Sequence, residues 1–166
     1  MKVFLVGFMG AGKTTVGRLL AERLAVPFLD LDLAIEEEAG QSVREIFLQR
    51  GEAAFRQWER DALERSAAAS AAVIATGGGT FASPGNAELM KRNGLTVWLH
   101  PSFATLAARI GFEGKEDRPL FRDETQALAL YRERLPAYQS ADVTIEVGAE
   151  ETPEEIAARI LLRLPR

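Results

Sequence analysis

The chain contains no cysteine, so disulfides and thiolate metal sites are excluded. No apolar run approaches membrane-spanning length, and the N-terminus begins on a strand-like segment instead of a secretory signal. The net charge of −4 gives no reason to expect binding to nucleic acid or to a membrane surface. With 166 residues, of which 47% are hydrophobic, the composition fits one domain over residues 1–166, and we expect it to be cytoplasmic.

The most informative segment is Gly7-Phe-Met-Gly-Ala-Gly-Lys-Thr-Thr15. It contains Gly7-x4-Gly12-Lys13-Thr14, which is a complete phosphate-binding loop. The glycines let backbone N–H groups point at phosphate oxygens, Lys13 adds a cation, and the Thr14 hydroxyl can ligate Mg²⁺. The segment therefore predicts a nucleoside triphosphate site.

Strand-like and helix-like segments alternate along the chain. The strand-like segments lie at residues 3–6, 27–29 with an end at 30–32, 72–75, 96–99 and 142–147. Apolar residues 16, 19, 20 and 24 predict the first helix, and a Ser42–Glu45 capping box with a stop at Gly51 predicts the second. Further helices are predicted at residues 52–69, after the cap and proline at Ser83-Pro84, around residues 106–109 and at residues 128–138. A capping box at Thr152–Glu155 predicts the last helix. This order predicts a parallel sheet covered by helices on both faces. Residues 111–123 are charged, carry two glycines and have no clear period, which is typical of a functional loop.

Several nucleotide-binding classes are excluded by what is missing around these segments. The chain has no Asn/Thr-Lys-x-Asp segment, which usually reads guanine in GTP-dependent switches. The apolar run 73–75 ends in Thr-Gly-Gly-Gly and not in the acidic residue of a usual Walker B strand. Large ATPases need a far longer chain. The nucleotide-binding class that remains is a small kinase whose second substrate binds beside ATP.

Three polar groups could form the acceptor side of such a kinase. Asp30 and Asp32 follow a strand, where one could hold Mg²⁺ through its water and the other could accept a hydrogen bond or a proton; the alternative is a solvated turn. Arg56 and Glu59 share a helix face and could present Arg56 to a carboxylate, although an ordinary surface pair has the same spacing. The glycines at 77–79 allow close backbone approach or form a flexible turn.

Together these features resemble the shikimate kinase family over the whole chain. The resemblance rests on the phosphate loop, Phe28-Leu-Asp-Leu-Asp32, Ile46-Phe47, Gly51-Glu-x-x-Phe-Arg-x-x-Glu59, Gly77-Gly-Gly79, Arg118-Pro-Leu120 and Glu133-Arg-x-Pro-x-Tyr138. It implies a three-layer α/β P-loop kinase fold, with a five-stranded parallel sheet and a mobile lid at about 111–123, like nucleoside monophosphate kinases. It also implies a substrate-binding helical region at about 33–62.

The resemblance further implies a reaction, its cofactor and its site residues. ATP, with Mg²⁺, would phosphorylate the 3-hydroxyl of shikimate in aromatic amino-acid biosynthesis. The catalytic residues would be Lys13, Asp32 and Arg118. Those binding ATP would be Gly10, Ala11, Gly12, Lys13, Thr14, Thr15, Arg109 and Arg118. Those binding shikimate would be Asp32, Arg56, Gly78, Gly79 and Arg134. Thr14 would bind Mg²⁺, with Asp30 supporting it. Shikimate and ATP are the partners we expect, and we expect a monomer.

Two departures and two rival functions accompany the resemblance. Glu151 stands where the family often has an arginine near adenine, and the segment from Arg109 to Arg118 is longer than usual. Leu-Pro-Ala-Tyr replaces the commoner Pro-Leu-Tyr after Arg134. Gluconate kinase shares the loop and the fold but should have a different acceptor site. A nucleotide-binding module without catalysis is the rival that is not an enzyme.

Overall fold

The fold is known from a computed structural model, which describes residues 1–111 and 123–165. Five strands and seven helices lie within these two ranges. In chain order they are β1 (Lys2–Val6), α1 (Lys13–Leu24), β2 (Phe28–Asp30), α2 (Leu31–Ala39), α3 (Val43–Ala67), β3 (Ala72–Ala75), α4 (Asn86–Asn93), β4 (Leu95–Pro101), α5 (Phe103–Ile110), α6 (Glu124–Gln139), β5 (Val143–Val147) and α7 (Pro153–Leu161).

All strands run parallel in the order β2-β3-β1-β4-β5, as the alternating pattern predicts. β1 is central, with Phe4 opposite both Ile74 of β3 and Thr96 of β4. Its residues Phe4 to Val6 are fully buried. A continuous apolar run suits this place because helices cover both faces of a parallel sheet. The loop after β1 therefore lies at the middle of the carboxyl edge of the sheet.

Helix boundaries follow the local signals where capping residues are present. Both expected capping boxes are confirmed, at Ser42–Glu45 before α3 and at Thr152–Glu155 before α7. Gly51, with φ 82° and ψ 172°, interrupts α3 with a kink. This agrees with the expected stop, since a left-handed φ is readily adopted by glycine.

The end of β2 differs from the sequence-based expectation. The strand stops at Asp30, and α2, which the residue patterns did not reveal, begins at Leu31. The Asp30 side chain accepts a hydrogen bond from the Leu33 N–H and caps the helix. Asp32 is therefore in the first helical turn, and the two aspartates reach the same cavity through this turn and not through strand alternation. The capping bond outcompetes continuation of the strand.

The start of α4 is a second correction. Ser83 and Pro84 do not open the helix, which begins at Asn86 after Gly85 with φ 78°. The Ser83 hydroxyl instead donates to the Gly79 carbonyl at 3.0 Å. α6 begins four residues earlier than expected because Asp123 caps it by accepting from the Gln126 N–H.

Among the residues that the structure describes, no helix is both long and apolar enough to cross a membrane. The expected lid at 111–123 lies outside the described residues except for its two end positions.

Candidate active site

The phosphate-binding loop joins β1 to α1 as the motif requires. Gly10 and Gly12 have φ of 81° and 98°, values that side-chain-bearing residues rarely adopt. Gly12 is the N-cap of α1, and none of the side chains in the described ranges caps this helix. The first N–H groups of α1 are therefore available to an anion at the positive end of the helix dipole.

Lys13 is folded back over this loop. Its ammonium donates to the carbonyls of Gly7 at 2.6 Å and Phe8 at 3.0 Å. Burial lowers the pKa of Lys13 to about 8, while the nearby Asp32 carboxylate acts in the opposite direction. A cation is thus held in the loop where phosphate oxygens would lie.

Thr14 and Asp30 meet at the edge of the same loop. The Thr14 hydroxyl donates to Asp30 Oδ2 at 2.8 Å, and Oδ1 of the same carboxylate caps α2. A hydroxyl and a carboxylate beside a phosphate site are hard oxygen ligands of the kind that Mg²⁺ prefers. No cluster of three or more carboxylates and histidines that could hold a metal occurs in residues 1–111 and 123–165. The chain would therefore supply only part of an Mg²⁺ shell, with nucleotide oxygens and water completing it.

Asp32 has an unsatisfied carboxylate oxygen. Within the described part of the chain, its buried Oδ1 atom has no hydrogen-bond partner. Burial raises the pKa of Asp32 to about 6, and the neighbouring Glu59 and Asp30 carboxylates raise it further than Lys13 lowers it. A buried acceptor without a donor is costly, so its persistence in the fold marks a place where a ligand group can donate.

These groups surround one cavity of about 290 Å³. It is lined by Met9, Gly10, Gly12, Lys13, Thr14, Thr15, Asp30, Asp32, Thr76, Gly77 and Gly78. The phosphate loop forms one side of the cavity. Asp30, Asp32 and the loop at residues 77–79, here called the glycine loop, form the other side. A phosphate donor and a hydroxyl acceptor would thus face each other across this space.

Arg56 and Glu59 form a partly buried pair, not the ordinary surface pair that the same spacing allows. Glu59 is 1% exposed, and Arg56 Nη1 donates to its two oxygens at 3.0 and 3.2 Å. Arg56 also lies over the Phe55 ring, 5.4 Å from its centroid, and reaches Glu52 at 3.4 Å. A buried carboxylate on one side fixes the guanidinium, so the rest of its donors can face a ligand.

A second arginine, Arg134 on α6, is buried at 7% exposure. Its guanidinium carbon lies 5.8 Å from the centroid of the Phe8 ring. One helical turn later, the Tyr138 hydroxyl donates to the Gly78 carbonyl, and burial raises the pKa of Tyr138 to about 12. Arg134 is therefore a buried side chain beside Gly78 and not a solvated charge.

Arg56 and Arg134 meet across a second cavity of about 520 Å³. The other lining residues are Glu52, Gly79, Ala82, Ser83, Pro84, Leu130, Glu133, Pro136 and Ala137. Gly78 lines the first cavity and Gly79 the second, so the two spaces adjoin at the glycine loop. Two guanidinium groups at this junction suit an anionic group on the acceptor.

The remaining predicted residues are placed less directly. Ala11 is buried in the loop, and Arg109 Nη1 donates to the Gly10 carbonyl at 3.0 Å without lining either cavity. Arg118 lies outside the described residues, so its assignment stays a prediction. Glu151 accepts from Arg159 at 2.7 Å, and this hydrogen bond lowers the pKa of Glu151.

The whole chain is similar to known proteins. A family model described as "Shikimate kinase" matches residues 9–165. A shikimate kinase of Sulfurihydrogenibium sp. (strain YO3AOP1) is 40% identical over 165 residues, which are 99% of this chain and 98% of that protein. A solved structure of shikimate kinase from Acinetobacter baumannii in complex with shikimate is 37% identical with a TM-score of 0.91, and the match covers 98% of this chain and 91% of that one.

A gluconokinase is a more distant match. The structure of that enzyme from Sinorhizobium meliloti 1021 is 18% identical with a TM-score of 0.58, over 97% of this chain and 89% of that one. Identity at this level indicates a common fold alone. The P-loop kinase architecture predicted from the sequence is confirmed by these structures.

Proposed function

Because the chain belongs to the shikimate kinase family, we propose that it transfers the γ-phosphate of ATP to the 3-hydroxyl of shikimate in the cavity between the phosphate loop and Asp32. One observation supports placing the reaction in this cavity. The unpartnered Asp32 carboxylate oxygen and the Lys13 ammonium line the same 290 Å³ space. The products are shikimate 3-phosphate and ADP.

Asp32 would accept the proton of the attacking hydroxyl. The O–H bond of the substrate breaks, its oxygen bonds to the γ-phosphorus, and the bond from that phosphorus to the β-phosphate oxygen breaks. The proton goes to the carboxylate, which must be ionised beforehand. With a pKa of about 6, Asp32 is mostly ionised at neutral pH and is a stronger base than an ordinary aspartate.

The phosphate loop would hold ATP through backbone N–H groups of residues 10–15 and through Lys13. Positioning and charge stabilisation are the main tasks of a protein in phosphoryl transfer. Thr14 would ligate Mg²⁺, with Asp30 supporting it, and the bound ion would neutralise charge on the β- and γ-phosphates. The hydrogen bond between these two side chains supports the pairing of their roles.

Arg56 and Arg134 would bind the carboxylate of shikimate. Both are largely buried, and both lie against the glycine loop beside the first cavity. This arrangement would place an acceptor between the arginines at one end and Asp32 at the other, with Gly78 and Gly79 alongside.

A turnover assay with ATP and Mg²⁺ tests the proposal directly. We expect shikimate to be phosphorylated and gluconate to be left unchanged in the same panel. Phosphorylation of gluconate in preference to shikimate would overturn the proposed function, and loss of turnover with both acceptors would favour a nucleotide-binding module without catalysis.

Arg56→Ala tests the proposed carboxylate contact. A charge-assisted bond of about 1.5–3 kcal/mol predicts a loss of roughly ten- to a hundredfold in shikimate affinity. The carboxamide analogue of shikimate should bind wild type poorly and lose little more in the variant. Arg65→Ala is the matched control, because it removes an exposed arginine from the same helix. Equal losses for both ligands would argue against the contact.

A further inference from the structure

A chain of hydrogen bonds runs from Arg56 through Glu59 to Thr80, beside Gly77. The Thr80 hydroxyl donates to Glu59 Oε2 at 2.7 Å, which is shorter than either bond that Glu59 receives from Arg56. Thr80 is fully buried and lines neither cavity. We propose that Thr80 is a positioning residue that sets the geometry of the substrate-binding Arg56 through Glu59.

The two oxygens of Glu59 show why a further donor is needed. A single nitrogen of Arg56, Nη1, is shared between them at 3.0 and 3.2 Å. A shared donor alone leaves the carboxylate free to rotate toward either oxygen. The Thr80 hydroxyl binds only Oε2, so it fixes the rotation of the carboxylate and with it the direction of the guanidinium.

Charge adds a second requirement. Glu59 is buried and lies close enough to Asp32 to raise the pKa of that carboxyl group. A buried carboxylate that loses a donor is destabilised as an anion, because neither water nor another partner replaces the bond. Without Thr80, Glu59 would hold the Arg56 cation less firmly.

Thr80 is itself held in place by residues of α3 and α4. The Asn86 side-chain amide donates to the Thr80 carbonyl at 2.9 Å, and Arg60 Nη1 donates to Asn86 Oδ1 at 3.0 Å. Asn86 is buried at 2% exposure. The hydrogen bonds thus run from Glu59 on α3 to Thr80, which follows the glycine loop, then to Asn86 at the start of α4 and back to Arg60 on α3. These bonds fix the position of the glycine loop relative to α3, the helix that carries Arg56.

Matched substitutions at Thr80 test this inference, which rests on the proposed function. Thr80→Val keeps the shape and removes the hydroxyl, whereas Thr80→Ser keeps the hydroxyl and removes a methyl group. We expect Thr80→Val to raise the shikimate Kd, measured by calorimetry, by about tenfold. The KM for ATP should stay within about twofold of the wild-type value, since Thr80 does not line the first cavity, which contains the phosphate loop. Thr80→Ser should bind both substrates as wild type does.

Two outcomes would overturn the assignment. Unchanged shikimate binding in Thr80→Val would mean that the hydroxyl does not position Arg56. A loss in Thr80→Ser equal to that in Thr80→Val would mean that the threonine acts only through its packing. If the valine variant does not fold, Thr80→Ala replaces it, because alanine and serine also differ by one hydroxyl. Failure of wild type to phosphorylate shikimate would refute the proposed function instead, so the two failures are distinguishable.

Discussion

The two glycine-rich loops of this protein use glycine for different reasons. In the phosphate loop, Gly12 has a φ of 98°, and a Cβ built on it would meet nothing closer than 3.9 Å. In the loop at 77–79, no glycine has a positive φ, but a Cβ on Gly79 would lie 2.5 Å from Arg56 Nη2. Gly12 is thus needed for the backbone conformation of the first loop, and Gly79 is needed for space in the second.

This difference separates two ways of building a binding site. The nucleotide side presents backbone groups from one contiguous segment of chain. The acceptor side brings side chains from distant segments against the backbone of residues 77–79, where Gly77 faces Asp32 and Gly78 faces Arg134. Substitutions on the two sides should therefore fail in different ways.

The largest effect is expected on the nucleotide side. Lys13→Met should lower kcat by about a thousandfold while the fold survives, because the ammonium is the cation that the loop holds at the phosphates. Steady-state kinetics with a thermal melt measures both. Lys91→Met, at an exposed position of α4, is the control and should behave as wild type. Turnover near the wild-type rate in a folded Lys13→Met protein would contradict the phosphate-loop assignment.

An intermediate effect is expected for the carboxylate between the two sides. Asp32→Asn should lower kcat by about a hundredfold with little change in ATP affinity, because asparagine cannot take the proton. In wild type, kcat/KM for shikimate should fall as pH drops through about 6, where Asp32 becomes protonated. Collapse of ATP affinity with intact shikimate affinity in this variant would reverse the roles of Asp30 and Asp32.

The same variant should be more stable than wild type at pH 8. The folded pKa of Asp32 is raised from 3.8 to about 6, so the fold disfavours the ionised form. Wild-type stability therefore decreases as pH rises from about 4 to about 6, and the cost is fully present above that range. Asparagine removes the cost, so its advantage in Tm should disappear as pH falls toward 4. A lower Tm at pH 8 for Asp32→Asn would contradict this.

The smallest effect tests the two loops against each other. Gly79→Ala should weaken shikimate binding by about tenfold, because the new methyl group displaces the Arg56 guanidinium from its position beside Glu59. Gly12→Ala should lower stability by about 1–2 kcal/mol, since its backbone conformation becomes strained, and should raise the KM for ATP. Calorimetry with each substrate and thermal melts would measure these changes. If both variants lost affinity for the same substrate, the two loops would not differ as described.

Local signals allowed much of the fold to be predicted from the sequence. The phosphate loop is contiguous, and both capping boxes span four residues, so short-range chemistry fixes them. Asp30 was harder to assign, because an aspartate after an apolar run can end a strand, cap a helix, or do both. The structure shows that it does both, and α2 was missed for that reason.

The acceptor side was less predictable because its contacts are distant in sequence. Thr80 and Glu59 are 21 residues apart, and no repeating pattern joins them. The residues around Arg134 in the sequence are those of an exposed helix, but its guanidinium lies over Phe8 of the phosphate loop, which is distant in sequence. Helical spacing with Glu59 makes Arg56 a candidate in the sequence, whereas Arg134 is identified by the family resemblance.

The wall formed by residues 77–79 has a consequence for inhibitor design. A Cβ on Gly77, Gly78 or Gly79 would lie 2.9 Å from Asp32, 3.0 Å from Arg134 or 2.5 Å from Arg56, so the neighbouring side chain would have to shift. A compound that binds the backbone of this wall would contact atoms that point mutation cannot remove. A substitution that blocks the compound would also displace Asp32, Arg56 or Arg134, so on the proposed function resistance arising here would lower the activity of the enzyme.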